Sequence, residues 1–276
     1  MMNQLMLDEI ILTALKEDLG TGDITTLSTV PKEKVVSGKF IAKEAGTICG
    51  LDVVKRVFVL LDPAVKLDFF VGEGMKAEER QVFGEISGPA QSILSGERVA
   101  LNFMQRMSGI ATSTKQYVKQ VEGTGAKITD TRKTTPGLRM LEKYAVRIGG
   151  GVSHRYNLSD GVMIKDNHIQ AAGGIQAAIE AARKHIPHTL KIEVEVENLQ
   201  QLSEALEAGA DIIMLDNMSI EKMKMAVNMV AGKALTEASG NMGEKDLKQI
   251  AATGVNYISI GALTHTIRAL DISLRF

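Results

Sequence analysis

Six short apolar runs constrain this chain more than any other feature: AKITD (126–130), DGVMIKD (160–166), LKIEVEV (190–196), ADIIMLD (210–216), a weaker ALTEASG (234–240) and VNYISIG (255–261). Each has the length of a buried strand and is too short for a buried helix. Between them lie segments whose apolar residues recur at helical spacing: IQAAIEAARKH, NLQQLSEALEAG, SIEKMKMAVNMVAG and GEKDLKQIAATG, several closed by a glycine past the last apolar position. This alternation, with a repeat of roughly 20 to 35 residues, predicts a parallel sheet with crossover helices, either doubly wound or curled into a barrel.

The residues that end the runs favour the barrel. Asp130, Lys165, Glu195, Asp216, Ser239 and Gly261 each stand at or just past the C-terminal end of a different run. A doubly wound sheet gathers its ligand groups at one switch point, often behind a G-x-G-x-x-G turn, and no such turn opens this region. A barrel points every strand end at one mouth, which asks for a polar or small residue after each strand. Six clear strands instead of eight predict an incomplete TIM-like α/β barrel.

The first third reads differently. MMNQLMLDEIILTALKEDLG has the spacing of an amphipathic helix and carries acids where a signal peptide would carry bases. VSGKFIAKEAG, VKLDFFVGEGM and QVFGEISGPAQSI alternate as strands do, with Gly72, Gly74, Gly84, Gly88 and Pro89 as turn residues, and so predict a small antiparallel sheet. From Glu97 the pattern turns helical, one or two helices leading into the barrel. Lys+Arg (32) and Asp+Glu (33) balance, which excludes a chain built to coat nucleic acid or an anionic membrane. No stretch approaches the roughly 18 apolar residues of a membrane helix. The single cysteine, Cys49, rules out an intrachain disulfide and makes a cytoplasmic location the expectation.

Any anion site must therefore be local, and one stretch stands out. Arg132, Lys133, Arg139, Arg147, His154, Arg155 and Lys165 fall within 34 residues, many among Gly and Pro beside strand ends. Arginine pairs two-point with carboxylate or phosphate and lysine adds a compact charge, so the mixture suits a ligand bearing several such groups. Glu195 and Asp216 open on the same mouth, where carboxylates hold Mg2+ or accept from sugar hydroxyls. Alternation in KIEVEVE puts Glu193 on the same side as Glu195 but farther from the mouth. The small residues of EASGNMG and ISIGALTH permit close approach of backbone N–H groups to a phosphate. From position alone Arg98 reads as a surface helix residue, His154 as a hydrogen-bonded loop histidine, and Lys165 as a position that a Schiff-base aldolase would also use.

Longer motifs are more specific. EDLGTGDITT (17–26), GERVALNFMQRMSGIAT (96–112), DTRKTTPGLRMLEKYAVRIGGGVSHRYNLSDGVMIKDNH (130–168), IEVEVENL (192–199), IIMLDNM (212–218), SGN and IGALTH occur in this order, and with them the chain closely resembles the quinolinate phosphoribosyltransferase family over nearly its whole length. The resemblance implies a smaller N-terminal α/β sandwich domain over 1–108, joined by the tail 267–276, and an incomplete, about seven-stranded barrel over 109–266. It implies transfer of phosphoribose from phosphoribosyl pyrophosphate to quinolinate with decarboxylation, giving nicotinate mononucleotide, pyrophosphate and CO2 in NAD biosynthesis. It further implies Mg2+ as cofactor and a homodimer whose site is completed by Arg98 of the neighbouring subunit. By the same resemblance Arg132, Lys133, His154, Arg155 and Lys165 bind the carboxylates and phosphates. Glu195 and Asp216 lie near ribose and Mg2+, and Ser239, Gly240, Asn241, Gly261 and Ala262 receive the 5-phosphate. Lys133, Lys165, Glu195 and Asp216 are then the expected catalytic set. A phosphoribosyltransferase for nicotinate or another aromatic acid is the alternative within the enzyme class.

Overall fold

The computed structural model describes residues 2–276. By contacts the chain divides into two compact units, one of residues 1–115, 134–150 and 266–276, the other of residues 116–133 and 151–265.

The first unit begins with α1 (Gln4–Leu19), whose first turn is capped by the Asn3 side chain accepting from Leu5 N–H at 3.0 Å. Then follow α2 (Ile24–Thr29), β1 (Val35–Ala42), β2 (Gly46–Thr47), α3 (Leu51–Leu61), β3 (Lys66–Phe69), β4 (Lys76–Ala77), β5 (Val82–Pro89) and the long α4 (Ala90–Gln120). The alternating sequence of β1 buries Phe40, which meets Phe69 and Phe83 with ring centroids 5.5 and 6.0 Å away. Leu7, Ile11 and Leu15 of α1 and Val53, Val54, Val57 and Phe58 of α3 are buried. Arg56 clamps Asp8 through two hydrogen bonds of 2.7 and 2.6 Å, so α3 is held to α1 by charge as well as packing. The C-terminal strand Ile272–Arg275 pairs antiparallel with β1. Its approach needs Gly109 on α4, where a Cβ would stand 2.2 Å from the Arg268 carbonyl oxygen. Cys49 is buried here as a free thiol.

The second unit holds the strands expected from the six apolar runs: β6 (Lys127–Thr129), β7 (Val162–Ile164), β8 (Ile192–Val196), β9 (Ile212–Asp216), β10 (Leu235–Ser239) and β11 (Tyr257–Ser259). They form one parallel sheet in the order β6-β11-β10-β9-β8-β7. Val152 adds a parallel bridge to Thr129 on the outer side of β6, a rudimentary seventh strand. One set of alternate side chains, including Ile192, Val194, Val196, Ile213, Leu215 and Ile258, is fully buried. Burial of each such side chain contributes about 1.5–3 kcal/mol, which pins the strand register, because a slip by one residue would exchange the two faces. The opposite set mixes apolar residues such as Met163, Ile212 and Met214 with the polar Glu193, Glu195, Asp216, Glu237, Ser239 and Ser259. The helices α6 (Asp166–Ala172), α7 (Ile175–His185), α8 (Leu199–Glu207), α9 (Ile220–Val230), α10 (Leu247–Ala251) and α11 (Ala262–His265) connect the strands. Helix α5 (Arg139–Ile148) belongs to the first unit. Among the described residues no helix is long and apolar enough to cross a membrane.

Candidate active site

The strand ends of the second unit build a rim. Lys165 follows β7, and its backbone N–H donates to His168 Nδ1 at 3.0 Å. Its ammonium is ion-paired with Glu195, one residue before the end of β8. Glu195 lies level with Met214, so Asp216 stands one inner-face position higher, at the last residue of β9. Asp216 accepts from the Asn217 side-chain amide at 2.7 Å, and Asn217 N–H donates to the Ser239 carbonyl at 3.1 Å. Gly240 is obligatory there: its φ is +100°, and a Cβ would lie 2.1 Å from Asn217 Oδ1. Gly261 faces Lys133, where a Cβ would meet the lysine Cδ at 3.2 Å and the His265 ring at 3.1 Å. The Lys133 carbonyl accepts from Thr264 Oγ1 at 2.8 Å. Lys133, Lys165, Glu195, Asp216, the Ser239–Asn241 turn and Gly261 with Ala262 are thus all in this unit.

Beneath the rim the charges are buried. Asp130, at the end of β6, is inaccessible and accepts the His154 backbone N–H at 2.9 Å. His154 Nε2 lies 2.9 Å from Glu193 Oε2 and 3.6 Å from Glu237 Oε2, both carboxylates buried. Its Nδ1 accepts the Arg155 backbone N–H at 2.7 Å. Arg155 reaches the Gly161 carbonyl at 3.2 Å. Burial first, and the neighbouring Arg132 charge second, hold the Arg155 guanidinium below its ordinary range, against the pull of Glu193 and Asp160. Two cations that repel one another in a part-buried place favour an anionic partner. The acid of Glu237 is pushed up to about 7 by burial and by the facing Glu193 charge, with His154 opposing. A cavity of about 470 Å³ runs from Lys127, Tyr257, Leu235 and Ile212, the first residues of β6, β11, β10 and β9, to His154, Arg155, Glu193 and Glu237.

The expected cationic run does not stay together. Arg132, Lys133, His154, Arg155 and Lys165 belong to the second unit, whereas Arg139 and Arg147 ride on the Arg139–Ile148 helix of the first, with Arg147 over the Tyr144 ring. Arg98 lies on α4, also in the first unit. A larger cavity of about 870 Å³ in that unit runs between α1 and α4, but its lining cation, Arg106, is tied to the buried Glu142 at 2.6 Å. Sequence reasoning did not single out Asn217, Glu237 or His265. The signal for Glu237 was its place two residues before Ser239, on the same face of the strand.

The family model "Quinolinate phosphoribosyl transferase, C-terminal domain" matches residues 110–275, and the corresponding N-terminal model matches residues 23–108. A Bacillus subtilis protein named "Probable nicotinate-nucleotide pyrophosphorylase [carboxylating]" is 46% identical over 273 residues, covering 99% of this chain and 94% of that protein. The Nicotiana glauca protein "Quinolinate phosphoribosyltransferase [decarboxylating] 2, mitochondrial" is 42% identical, covering 98% of this chain and 82% of that one. The crystal structure of NadC from Streptococcus pyogenes superposes with a TM-score of 0.94 at 42% identity, covering 100% of this chain and 98% of its own. The rim of lysines and carboxylates, the neighbouring charges of Arg132 and Arg155 and these likenesses over nearly the whole chain agree: the chain belongs to the quinolinate phosphoribosyltransferase family.

Proposed function

We propose that this chain transfers phosphoribose from phosphoribosyl pyrophosphate to the nitrogen of quinolinate and releases pyrophosphate and CO2, leaving nicotinate mononucleotide for NAD biosynthesis. The observation that carries the reading is the part-buried Arg155 with the Arg132 charge acting on it, in the same unit as the rim of lysines and acids. Quinolinate offers two adjacent carboxylates, which match two arginine forks. Lys133 and Lys165 balance the phosphates and the departing pyrophosphate. Glu195 accepts from a ribose hydroxyl, and exchanging its Lys165 contact for that hydroxyl frees the lysine for the pyrophosphate. The backbone of Ser239, Gly240, Asn241, Gly261 and Ala262 receives the 5-phosphate, with glycines at the two crowded points.

In the reaction the ribose carbon–pyrophosphate bond breaks and the pyridine nitrogen supplies the electron pair that replaces it. The ring nitrogen becomes cationic. The bond to the 2-carboxylate then cleaves, CO2 leaves, and the electron pair stays on the ring carbon, where it takes a proton. The side chains hold reactants in line and balance charge, so none has to become covalently attached.

Two hard carboxylates at neighbouring strand ends, Glu195 and Asp216, are the donor type that suits Mg2+ and would hold it. When bound, Mg2+ supplies charge neutralisation on pyrophosphate. A Schiff-base aldolase fits poorly, because its lysine presents a free amine in an apolar pocket, whereas Lys165 is half-exposed and paired with Glu195. The deciding assay is CO2 release from carboxyl-labelled quinolinate, expected only with both phosphoribosyl pyrophosphate and Mg2+. Turnover of nicotinate in place of quinolinate would overturn the substrate assignment.

The same proposal includes a cytoplasmic homodimer in which Arg98 of one subunit serves the quinolinate bound by the other. Mixing Arg98→Ala and Arg155→Ala subunits, each nearly silent at quinolinate concentrations near the wild-type KM, should then restore about a quarter of wild-type activity, since half the dimers carry one intact site. No recovery after verified subunit exchange would show that the site is not shared.

A further inference from the structure

His154, Glu193 and Glu237 bring three potential ligand atoms within 4.8 Å of one another, the constellation of a small metal centre. The backbone speaks against that reading. A histidine that binds metal through one ring nitrogen donates a proton from the other. Here the Arg155 N–H points at Nδ1 from 2.7 Å, so Nδ1 must accept. A neutral imidazole that accepts at Nδ1 carries its proton on Nε2, and that proton faces Glu193 Oε2 at 2.9 Å. A metal on Nε2 would require the ring to lose its last proton.

We propose that Glu193, backed by Glu237, is a positioning residue for quinolinate binding: it locks His154 in the Nε2–H tautomer so that Nδ1 holds the Arg155 backbone and aims the Arg155 guanidinium. This assigns His154 to the support of Arg155 and not to a ligand carboxylate, because both ring nitrogens are engaged within the protein. The His154–Arg155 dipeptide is gripped at consecutive backbone nitrogens, by the Asp130 carboxylate at His154 and by the His154 ring at Arg155. Arg155 is held again at its head by the Gly161 carbonyl. Glu193 comes from β8 and Glu237 from β10, with β9 between them, so the ring is referenced to the middle of the sheet and not to its own loop. Buried polar side chains so linked have one low-energy arrangement, which is what a two-point carboxylate clamp needs.

The inference rests on the proposed quinolinate reaction, but its spectroscopic arm does not require turnover. Long-range 1H–15N spectra of the wild-type imidazole should show His154 as the Nε2–H tautomer; an Nδ1–H or doubly protonated ring at neutral pH overturns the proposal. Glu193→Leu should remove that tautomer preference and raise the KM for quinolinate about tenfold while kcat and the KM for phosphoribosyl pyrophosphate stay within about twofold. Glu193→Gln keeps an acceptor oxygen in place and should restore both the spectrum and the KM. An unchanged quinolinate KM in Glu193→Leu, or equal loss in Glu193→Gln, would show that the carboxylate serves only the stability of the sheet. Absence of quinolinate-dependent CO2 release in the wild type would instead sink the reaction itself, and the tautomer result would stand apart from it.

Discussion

Two glutamates on one face of β8, two residues apart, do opposite things. Glu195, near the strand end, is 17% exposed and pairs with a lysine that is 42% exposed. Glu193, one layer down, is 5% exposed and pairs with a histidine that is 14% exposed. The upper pair stands near water and can trade partners when a ligand arrives, since partly solvated ion pairs are held by only about 1 kcal/mol or less. The lower pair cannot trade, because losing its partner would leave a buried charge uncompensated. The same residue type therefore supplies an exchangeable contact in one layer and a fixed support in the next, and depth alone separates the roles.

Substitutions can break this contrast in graded ways. The largest effect is expected at the upper layer: chelating Mg2+ should abolish CO2 release, while equilibrium binding of quinolinate, read by calorimetry, persists. Lys165→Ala should lower kcat by about a hundredfold to a thousandfold, the usual cost of removing a preorganised charge at a site of charge development. Loss of quinolinate affinity alone, with kcat intact, would place that lysine outside the reacting layer. Arg155→Ala should weaken quinolinate binding by about ten- to a hundredfold and leave the thermal midpoint nearly unchanged; normal affinity would sink the two-arginine clamp.

The smallest effect belongs to the lower layer and appears as pH-dependent stability. Glu237 keeps its proton up to about 7 in the folded protein against an ordinary value of 4.5. The folded state thus binds more protons than the unfolded one between these values, so this group's contribution favours folding at low pH and declines as pH rises from about 4.5 to 7. Glu237→Gln, permanently neutral, should remove a decline on the order of 2 kcal/mol or less from the denaturation profile. A parallel pH profile in the variant would mean that Glu237 ionises freely in the fold.

Much of this was legible in the chain. The six apolar runs became six strands, and the polar or small residue ending five of them became the rim while Asp130 is buried beneath it, because strand length and the period of two are local properties. The helical spacing from Glu97 onward was legible too, although it resolves into a single helix, α4, of 31 residues. The cationic run misled in part: Arg139 and Arg147 are near neighbours of Arg132 in sequence, yet a helix carries them into the other unit. Glu237 carried only the signal of sharing a strand face with Ser239, since its strand is weakly apolar and its acid has no partner nearby in sequence.

By itself the sequence determined the strands, their inward and outward faces, the family and the stock of charges at each strand end, since all of these depend on local periodicity or on runs of identity. Only the tertiary structure decided which charges meet. Glu193 and Glu237 come from strands separated by a third, and His154 reaches them from a loop beside β6. Sheet order and register set that meeting, and they are properties of the whole sheet that no single segment encodes. They turn two buried acids and a histidine into the support of an arginine.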